Sequence, residues 1–340
     1  MSLISRIELR SPYLILVGDE KQPTFAKTGL GIVQWRRDRV VGQLRLSPDA
    51  VDLGVPDMDV HAAASGGAGS LVIGVAPPGG AIPDAWWAVM QAAATAGLDV
   101  VSGLHTRLAG NEGLALAAEA AGVRLIDVRT PPPNLPVGSG RKRSGRRILT
   151  VGTDCAIGKK YTALALAEAF RAAGVKSTFR ATGQTGIIIA GEGMPIDCVG
   201  ADFIAGAAEV LSPDNEPDHW DVIEGQGSLF HPAYAAVSLG LLHGAQAEAL
   251  VLCHEAGRTV IDGCPGHALP EIATAIRANE EAARLTCPAA RVVGIALNTR
   301  SLGTSEAGAA LAALEEAHGL PVVDPVRTGV GAIVDRLVSP

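Results

Sequence analysis

Aromatic side chains are scarce in this chain: 5 Phe, 4 Trp and 3 Tyr make up 4% of its 340 residues. A core with so few rings has to be filled by Ala, Val, Leu and Ile, which suits short, closely packed helices and strands. Charge is also sparse. Asp, Glu, Lys and Arg total 19%, and the formal net charge of −7 offers no electrostatic footprint for nucleic acid. No stretch approaches the roughly 20 uninterrupted apolar residues of a spanning helix, so no membrane association is expected. The opening MSLISRIELRSPYLILVGDE reaches Asp19 and Glu20 without a small-residue cleavage site and does not read as a signal peptide. Five cysteines, at 155, 198, 253, 264 and 287, include no CxxC pair. An odd number of thiols in a long chain argues against a disulfide framework, and reduced thiols match the cytoplasm, the expected location.

What the chain does have is 48% hydrophobic residues mixed with 41 Gly and 21 Pro. That content rules out disorder and favours an α/β enzyme-like protein. Its length is about twice the ~150 residues of a typical domain, so two domains are expected. The boundary falls in TPPPNLPVGSGRKRSGRR at 130–147, which divides the chain into 1–135, a linker at 136–146, and 147–340. Arg141, Lys142, Arg143, Arg146 and Arg147 form its dense positive cluster. The residues read as a solvated linker that cannot pack, with a clamp on a ligand phosphate or carboxylate as the alternative.

Before the linker, strands are expected at 13–17, 39–42, 71–75, 100–103 and 124–128, with helices at 83–96 and 112–121. Strands spaced by helix-length segments imply parallel βαβ units. The turns VGD at 17–19, APPGG at 76–80 and SGLH at 102–105 end these runs, where ligands sit in open α/β sheets. TFAKTGLG at 24–31 looks a little like a phosphate loop, or reads as a turn entering the next element. After the linker, strands at 147–151, 175–179, 221–224, 249–253, 292–298 and 321–324, and helices at 159–173, 272–285 and 305–318, outline a doubly wound parallel sheet.

The strongest motif is ILTVGTDCAIGKKYT at 148–162. A strand runs into a glycine-bounded loop of Gly152, Thr153, Asp154, Cys155, Ala156, Ile157 and Gly158, and Lys159 opens an Ala/Leu-rich helix. Glycines let backbone N–H groups curl around phosphate oxygens, the helix start adds partial positive charge, and Lys159 adds a full one. Two features depart from the common phosphate loop. Five residues, not four, separate Gly152 from Gly158, and Lys160 stands where Ser or Thr usually ligates magnesium. The longer loop resembles that of dethiobiotin synthetase. Thr162 lies two residues further along, a rotation of about 200° on a helix.

In DVIEGQGS at 221–228 a strand delivers Glu224 to its carboxyl end, and this too resembles dethiobiotin synthetase. A carboxylate there holds magnesium, accepts a proton from an amine, or caps a helix. Ser228 and His231 follow, His231 as a candidate base. FRATGQTG at 179–186 offers Arg180, Thr182, Gln184 and Thr185 to a small acid, or forms a turn that satisfies its own backbone. Asp197 and Asp202 approach a metal or an amine, or cap helix starts. Asn298 ends a strand where a base-reading amide sits, with Pro325 and Arg327 as further pocket candidates. Cys253, His254, Cys264 and His267 match no common zinc spacing, so no metal site is expected. Cys155 is a loop-filling side chain or, as a thiolate favoured at a helix start, a nucleophile. The apolar stretch 234–243 reads as a core helix or a subunit interface.

Long runs such as VGTDCAIGKKYTALAL, ATGQTGIIIAGEGMPID, VGADFIAGAAE, VIEGQGSLFHPAYAAVSLGLLHGAQAEALVLCH and GIALNTRSL carry a wider resemblance. So do AKTGLGIVQWR, LVIGVAPPGG, LDVVSGLH and DVRTPPPNLPVGSGR before and within the linker. Together they resemble a former domain-of-unknown-function family that includes D-glutamate N-acetyltransferase. The resemblance implies a Rossmann-like N-terminal domain followed by a P-loop NTPase-like doubly wound domain. It also implies transfer of the acetyl group of acetyl-CoA to the amino group of D-glutamate, in D-amino acid catabolism. On that reading the loop and Asn298 bind the cosubstrate and Arg180, Thr182, Gln184, Thr185 and Ser228 bind the amino acid. Glu224 or His231 accepts the proton, and Lys159 or backbone N–H groups stabilise the oxyanion. The alternative is an ATP- and Mg-dependent ligase or kinase of the dethiobiotin synthetase type. A binding module without catalysis is a third. The partner in either enzyme is a small molecule, and a homo-oligomer is expected.

Overall fold

A computed structural model describes residues 4–77 and 80–338. Part of the expected turn at 76–80, Pro78 and Gly79, lies outside the described residues. The N-terminal elements run β1 (Ser5–Arg6), β2 (Tyr13–Gly18), α1 (Lys27–Trp35), β3 (Val40–Arg45), α2 (Val60–Ser65), β4 (Ser70–Ile73), α3 (Asp84–Thr95), β5 (Asp99–Ser102), α4 (Glu112–Ala121) and β6 (Leu125–Asp127). They are followed by β7 (Arg146–Gly152), α5 (Lys159–Ala172), β8 (Ser177–Arg180), α6 (Gln184–Ala190), β9 (Glu192–Gly193), α7 (Ile204–Leu211), β10 (Trp220–Ile223) and α8 (Ala235–Ala245). The chain ends with β11 (Ala249–Glu255), α9 (Ile272–Arg284), β12 (Arg291–Asn298), α10 (Thr304–His318), β13 (Val322–Val323) and α11 (Gly331–Val338).

These elements form two compact units. One holds Ser5–Thr130 and Gln184–Pro195; the other holds Ile4, Pro131–Gly183 and the chain from Ile196 onward. In the first, a parallel sheet has the order β3-β2-β4-β5-β6. Its central strands are buried along their whole length because they are nearly continuous apolar runs covered on both faces. The excursion from the second half of the sequence is anchored here. β9 pairs antiparallel with β1, the Thr185 hydroxyl lies 2.9 Å from that of Thr28, and Arg36 donates to the Ile189 carbonyl at 3.1 Å. The phosphate-loop-like stretch at 24–31 enters α1, and its Gly29 N–H donates to the Gly74 carbonyl at 2.6 Å. A Cβ at Gly29 would stand 2.8 Å from Leu53, so glycine there permits close packing of helix on sheet.

The second unit contains a parallel sheet ordered β13-β12-β11-β7-β10-β8. Helix α5 covers it with Ala163, Leu166, Ala167 and Phe170, packed on Ile148, Val222 and Trp220. Phe170 stacks on Trp220 with ring centroids 5.2 Å apart. The order of strands changes direction beside β7, so the turn after β7 is free to rise over the sheet's carboxyl edge, as at the switch point of doubly wound folds.

The basic run behaves differently from the solvated segment its composition suggests. Arg143 and Arg147 are only 4% and 2% exposed. The Arg143 guanidinium donates to the carbonyls of Ser212 (2.7 Å), Gly244 (2.5 Å) and Ala245 (3.0 Å), closing the carboxyl ends of α7 and α8. Those terminal carbonyls lack partners within their helices and carry partial negative charge, so a buried guanidinium is well matched to them. Burial, with Arg147 alongside, pushes Arg143 down to about 10. Arg147 donates to Ser212 Oγ and the Pro213 carbonyl, each at 2.8 Å, and Ser212 Oγ donates to Asp221 at 2.6 Å. Arg141 pairs with Asp214, and Arg146 pairs with Glu248 while lying over the Trp220 ring. Arg143 and Arg147 are thus buried internal partners, which corrects both the solvated reading and the ligand-clamp alternative for these two, while Arg141 stays exposed as the solvated reading expects.

Arg147→Met removes a buried cation and leaves Asp221 and several carbonyls undercompensated. A loss of about 3 kcal/mol or more is expected, measured as a lower urea midpoint; an unchanged midpoint would show that the network carries no stability.

Candidate active site

The loop after β7 is built as its sequence suggests. Ala156 and Gly158 take positive φ of 54° and 118°, which curls the backbone, and Gly158 immediately precedes the first turn of α5. Lys159 is buried, and its Nζ donates to the Asp154 carbonyl across the loop at 2.7 Å. Burial lowers the Lys159 pKa, while the nearby Cys155 and Cys253 thiols and Asp154 oppose that shift. Asp154 is a structural residue of the loop. Its Oδ1 accepts from the Cys155 N–H at 2.7 Å, and its Oδ2 accepts from Arg258 and the Asp262 N–H, each at 2.8 Å. Arg258 also donates to the Cys155 carbonyl at 3.0 Å and pairs with Glu255, which Arg300 contacts at 2.6 Å.

Hydroxyls around the loop hold backbone in place. Ser228 Oγ donates to the Gly152 carbonyl at 2.9 Å, and Thr162 Oγ1 donates to the Gly158 carbonyl at 3.1 Å. Thr150 Oγ1 accepts from the Gly225 N–H at 2.9 Å. Thr153 Oγ1 lies 3.0 Å from His254 Nδ1, and burial lowers the His254 pKa. Burial pushes the Cys253 thiol up to about 11, which makes it an unreactive packing residue.

Glu224 follows β10 directly and is 4% exposed. Strand β10 is the neighbour of β7, so the loop and this carboxylate rise from adjacent strand ends. Glu224 Oε2 accepts from the N–H groups of Thr182 (2.9 Å) and Gly183 (3.1 Å), while Thr182 Oγ1 donates to the Glu224 carbonyl at 2.7 Å. Gln226 Nε2 donates to the same threonine hydroxyl at 3.1 Å. Burial raises the Glu224 pKa above the ordinary carboxyl range. The two amides and the Lys160 ammonium pull it down, and Asp197 adds to the rise. The result is a carboxyl group that holds its proton more tightly than an ordinary carboxylate, a property common at catalytic positions.

Other expected residues are placed differently. Arg180 Nε is bound to the buried Asp221 at 2.8 Å, so this side chain is an internal ion-pair partner where a substrate clamp was expected. Gln184 and Thr185 open α6 and belong to the other unit from Thr182 and Ser228. Both nitrogens of His231 are engaged: Nδ1 accepts from the Ala233 N–H at 3.1 Å, and Nε2, which therefore carries the proton, donates to the Asp262 carbonyl at 3.2 Å. A neutral imidazole held this way has no lone pair left for a substrate proton. Asn298 Oδ1 accepts from the Arg300 N–H at 3.2 Å, beside Glu255 on the paired strand. Arg327 donates to the Leu302 carbonyl at 2.8 Å. Asp202 lies in the short 3-10 turn that leads into α7, and neither that turn nor α7 has a side-chain cap hydrogen bond.

Ligand-type atoms of Asp154, Cys155 and His231 lie within 4.8 Å of one another, a combination the sequence spacing did not suggest. Arg258 is already bound to that aspartate, so the cluster carries a cation at its edge and is poorly suited to a second one. Arg258 and Asp262 are the residues that sequence reasoning missed. They lie more than a hundred positions from Asp154, and no motif marks them.

The fold and this strand-end arrangement define a two-domain P-loop protein, and the chain belongs to the DUF1611 family. The family's C-terminal model, described as a P-loop domain of unknown function, matches residues 136–334; its N-terminal model, described as a Rossmann-like domain, matches 44–131. A D-glutamate N-acetyltransferase of Tritonibacter scottomollicae is 47% identical over 338 residues, spanning 97% of this chain and 99% of the relative. Another from Pseudoalteromonas sp is 44% identical over 331 residues, spanning 97% and 100%. A crystal structure of a DUF1611 family protein from Anabaena variabilis superposes with a TM-score of 0.88 at 38% identity, covering 97% of this chain and 100% of that one. The family is the one that the sequence motifs resemble.

The raised Glu224 pKa has a stability consequence. Where the folded-state value exceeds the unfolded one, the native state is penalised as pH rises from the unfolded value through the folded one. Glu224→Gln is expected to raise the thermal midpoint at pH 8 relative to wild type, with the difference vanishing below about pH 4. An equal difference at both pH values, or a lower midpoint at pH 8, would contradict the assigned protonation behaviour.

Proposed function

We propose that this protein is an N-acetyltransferase that moves the acetyl group of acetyl-CoA to the amino group of D-glutamate. The observation that carries the reading is the near full-length correspondence, at 44–47% identity, with relatives named for that reaction. The chemistry of the site supports it. Coenzyme A brings a diphosphate, and the Gly152–Gly158 backbone, the start of α5 and Lys159 form a receptor for that group. Acetyl transfer to an amine needs a group that removes the ammonium proton, and Glu224 is a buried carboxyl with a raised pKa beside the loop.

In the proposed reaction the amine, once deprotonated by Glu224, attacks the thioester carbonyl. The tetrahedral adduct then collapses with loss of the coenzyme thiolate. Backbone N–H groups at the strand ends stabilise the oxyanion. Glu224 replaces His231 in the base role, because His231 lacks a free lone pair. Thr182, Ser228 and Gln226 lie at the strand ends beside Glu224 and the loop and would hold the acceptor there, and Arg180 supports Asp221. A cytoplasmic location and a homo-oligomer remain part of the same reading, on composition alone. No described helix is long and apolar enough to cross a membrane.

The experiment is thiol release from acetyl-CoA with a panel of D- and L-amino acids, with and without ATP and magnesium. Release that depends on D-glutamate and not on ATP is expected. Formation of ADP or phosphate instead would favour a ligase or kinase, and neither product would favour a binding module. Glu224→Gln should lower kcat by about a hundredfold or more. Near-normal turnover at saturating substrate and high pH would remove Glu224 from the base role.

A further inference from the structure

Magnesium in a phosphate loop has two customary protein-side supports: a Ser or Thr hydroxyl directly after the loop lysine, and a carboxylate at the end of a neighbouring strand. Here Lys160 takes the first position and Glu224 the second. The nearby hydroxyls brace the backbone. Those of Thr162 and Ser228 donate to the Gly158 and Gly152 carbonyls, and that of Thr150 accepts from the Gly225 amide. The Asp154 carboxylate is taken up by Arg258 and the Asp262 N–H, and one oxygen of Glu224 by two backbone amides. Lys160 is half-buried in the first turn of α5, with its Nζ 4.8 Å from the centre of the Tyr161 ring. Its ammonium is the cation whose field acts on Glu224.

We infer that Lys160 does the work of a metal ion here: it stands on the first turn of α5 directly after the loop lysine, where the metal-binding hydroxyl is customary, and the loop takes a metal-free diphosphate, not a magnesium–nucleotide complex. Lys159 and Lys160 together supply two positive charges, the number that one magnesium ion would bring. The ligand class follows. A diphosphate linked on both sides, as in coenzyme A, circulates without tight metal binding and needs charge neutralisation but no polarisation of a leaving phosphoryl group. A nucleoside triphosphate that is to be cleaved requires the metal for that second purpose. The inference rests on the proposed use of the loop for coenzyme A and sharpens it to a specificity determinant.

The test is calorimetric titration of the full-length protein with inorganic diphosphate and with coenzyme A, in EDTA and in magnesium. Wild type is expected to bind both ligands equally well in the two buffers. Lys160→Thr, which restores the usual hydroxyl, should bind at least about tenfold more weakly in EDTA and regain affinity when magnesium is added. Lys160→Arg should retain metal-free binding, which guards against misreading a folding defect. The pH profile gives a second readout: loss of the Lys160 charge should move the acidic limb governed by Glu224 to higher pH. Wild-type binding that requires magnesium, Lys160→Thr binding as tightly as wild type in EDTA, or no binding of either probe by wild type would each overturn the proposal. Metal-free binding without acetyl transfer would leave it standing and defeat the acetyltransferase reading instead.

Discussion

The close approach of two backbone segments at Gly225 is the constraint on which the site depends. A Cβ at this position would come within 1.7 Å of the Thr150 carbonyl oxygen, and the Gly225 N–H is bound to the Thr150 hydroxyl. Because nothing larger fits, the end of β10 lies against β7, and Glu224 is carried beside the loop that β7 feeds. The same segment continues into Ser228, which holds the Gly152 carbonyl, so the two strand ends are tied at both edges of the loop's base. The position of Glu224 beside the loop follows from that contact.

Electrostatically the site is an economy of few charges in a sparsely charged chain. Arg258 is committed to Asp154 and Glu255, Arg180 to Asp221, and Arg143 and Arg147 to helix ends. The proposed anion receptor draws on backbone N–H groups and the two adjacent lysines on the first turn of α5, where burial strengthens electrostatic attraction because little water competes.

Much of this was legible in the sequence. The central strands announce themselves as apolar runs because both faces of each sheet are covered, and β7, the loop and α5 follow one another in the strand–loop–helix order of a phosphate loop. Glu224 was visible for the same reason, as a carboxylate at the end of a buried strand. Helix α6 was not: Ile187, Ile188 and Ile189 are all buried, so its sequence lacks the polar face that gives a helix its period. The burial of Arg143 and Arg147 was hidden because composition reports charge and not the carbonyls that receive it. Asp154 looked like a ligand-facing loop residue, since its partners Arg258 and Asp262 are distant in sequence. Arg180 looked like a clamp until Asp221, on the neighbouring strand, was seen to bind it.

The return of residues 184–195 to the first unit has a consequence for how the molecule can be divided. The backbone passes from one unit to the other at 4/5, 130/131, 183/184 and 195/196. A cut in the basic segment before β7 would therefore not yield two self-sufficient halves. The C-terminal piece would carry α6 and β9 without α1 and β1 to pack on, and the N-terminal piece would expose the surfaces that they cover. The two halves are separable as patterns of sequence but not as pieces of polypeptide.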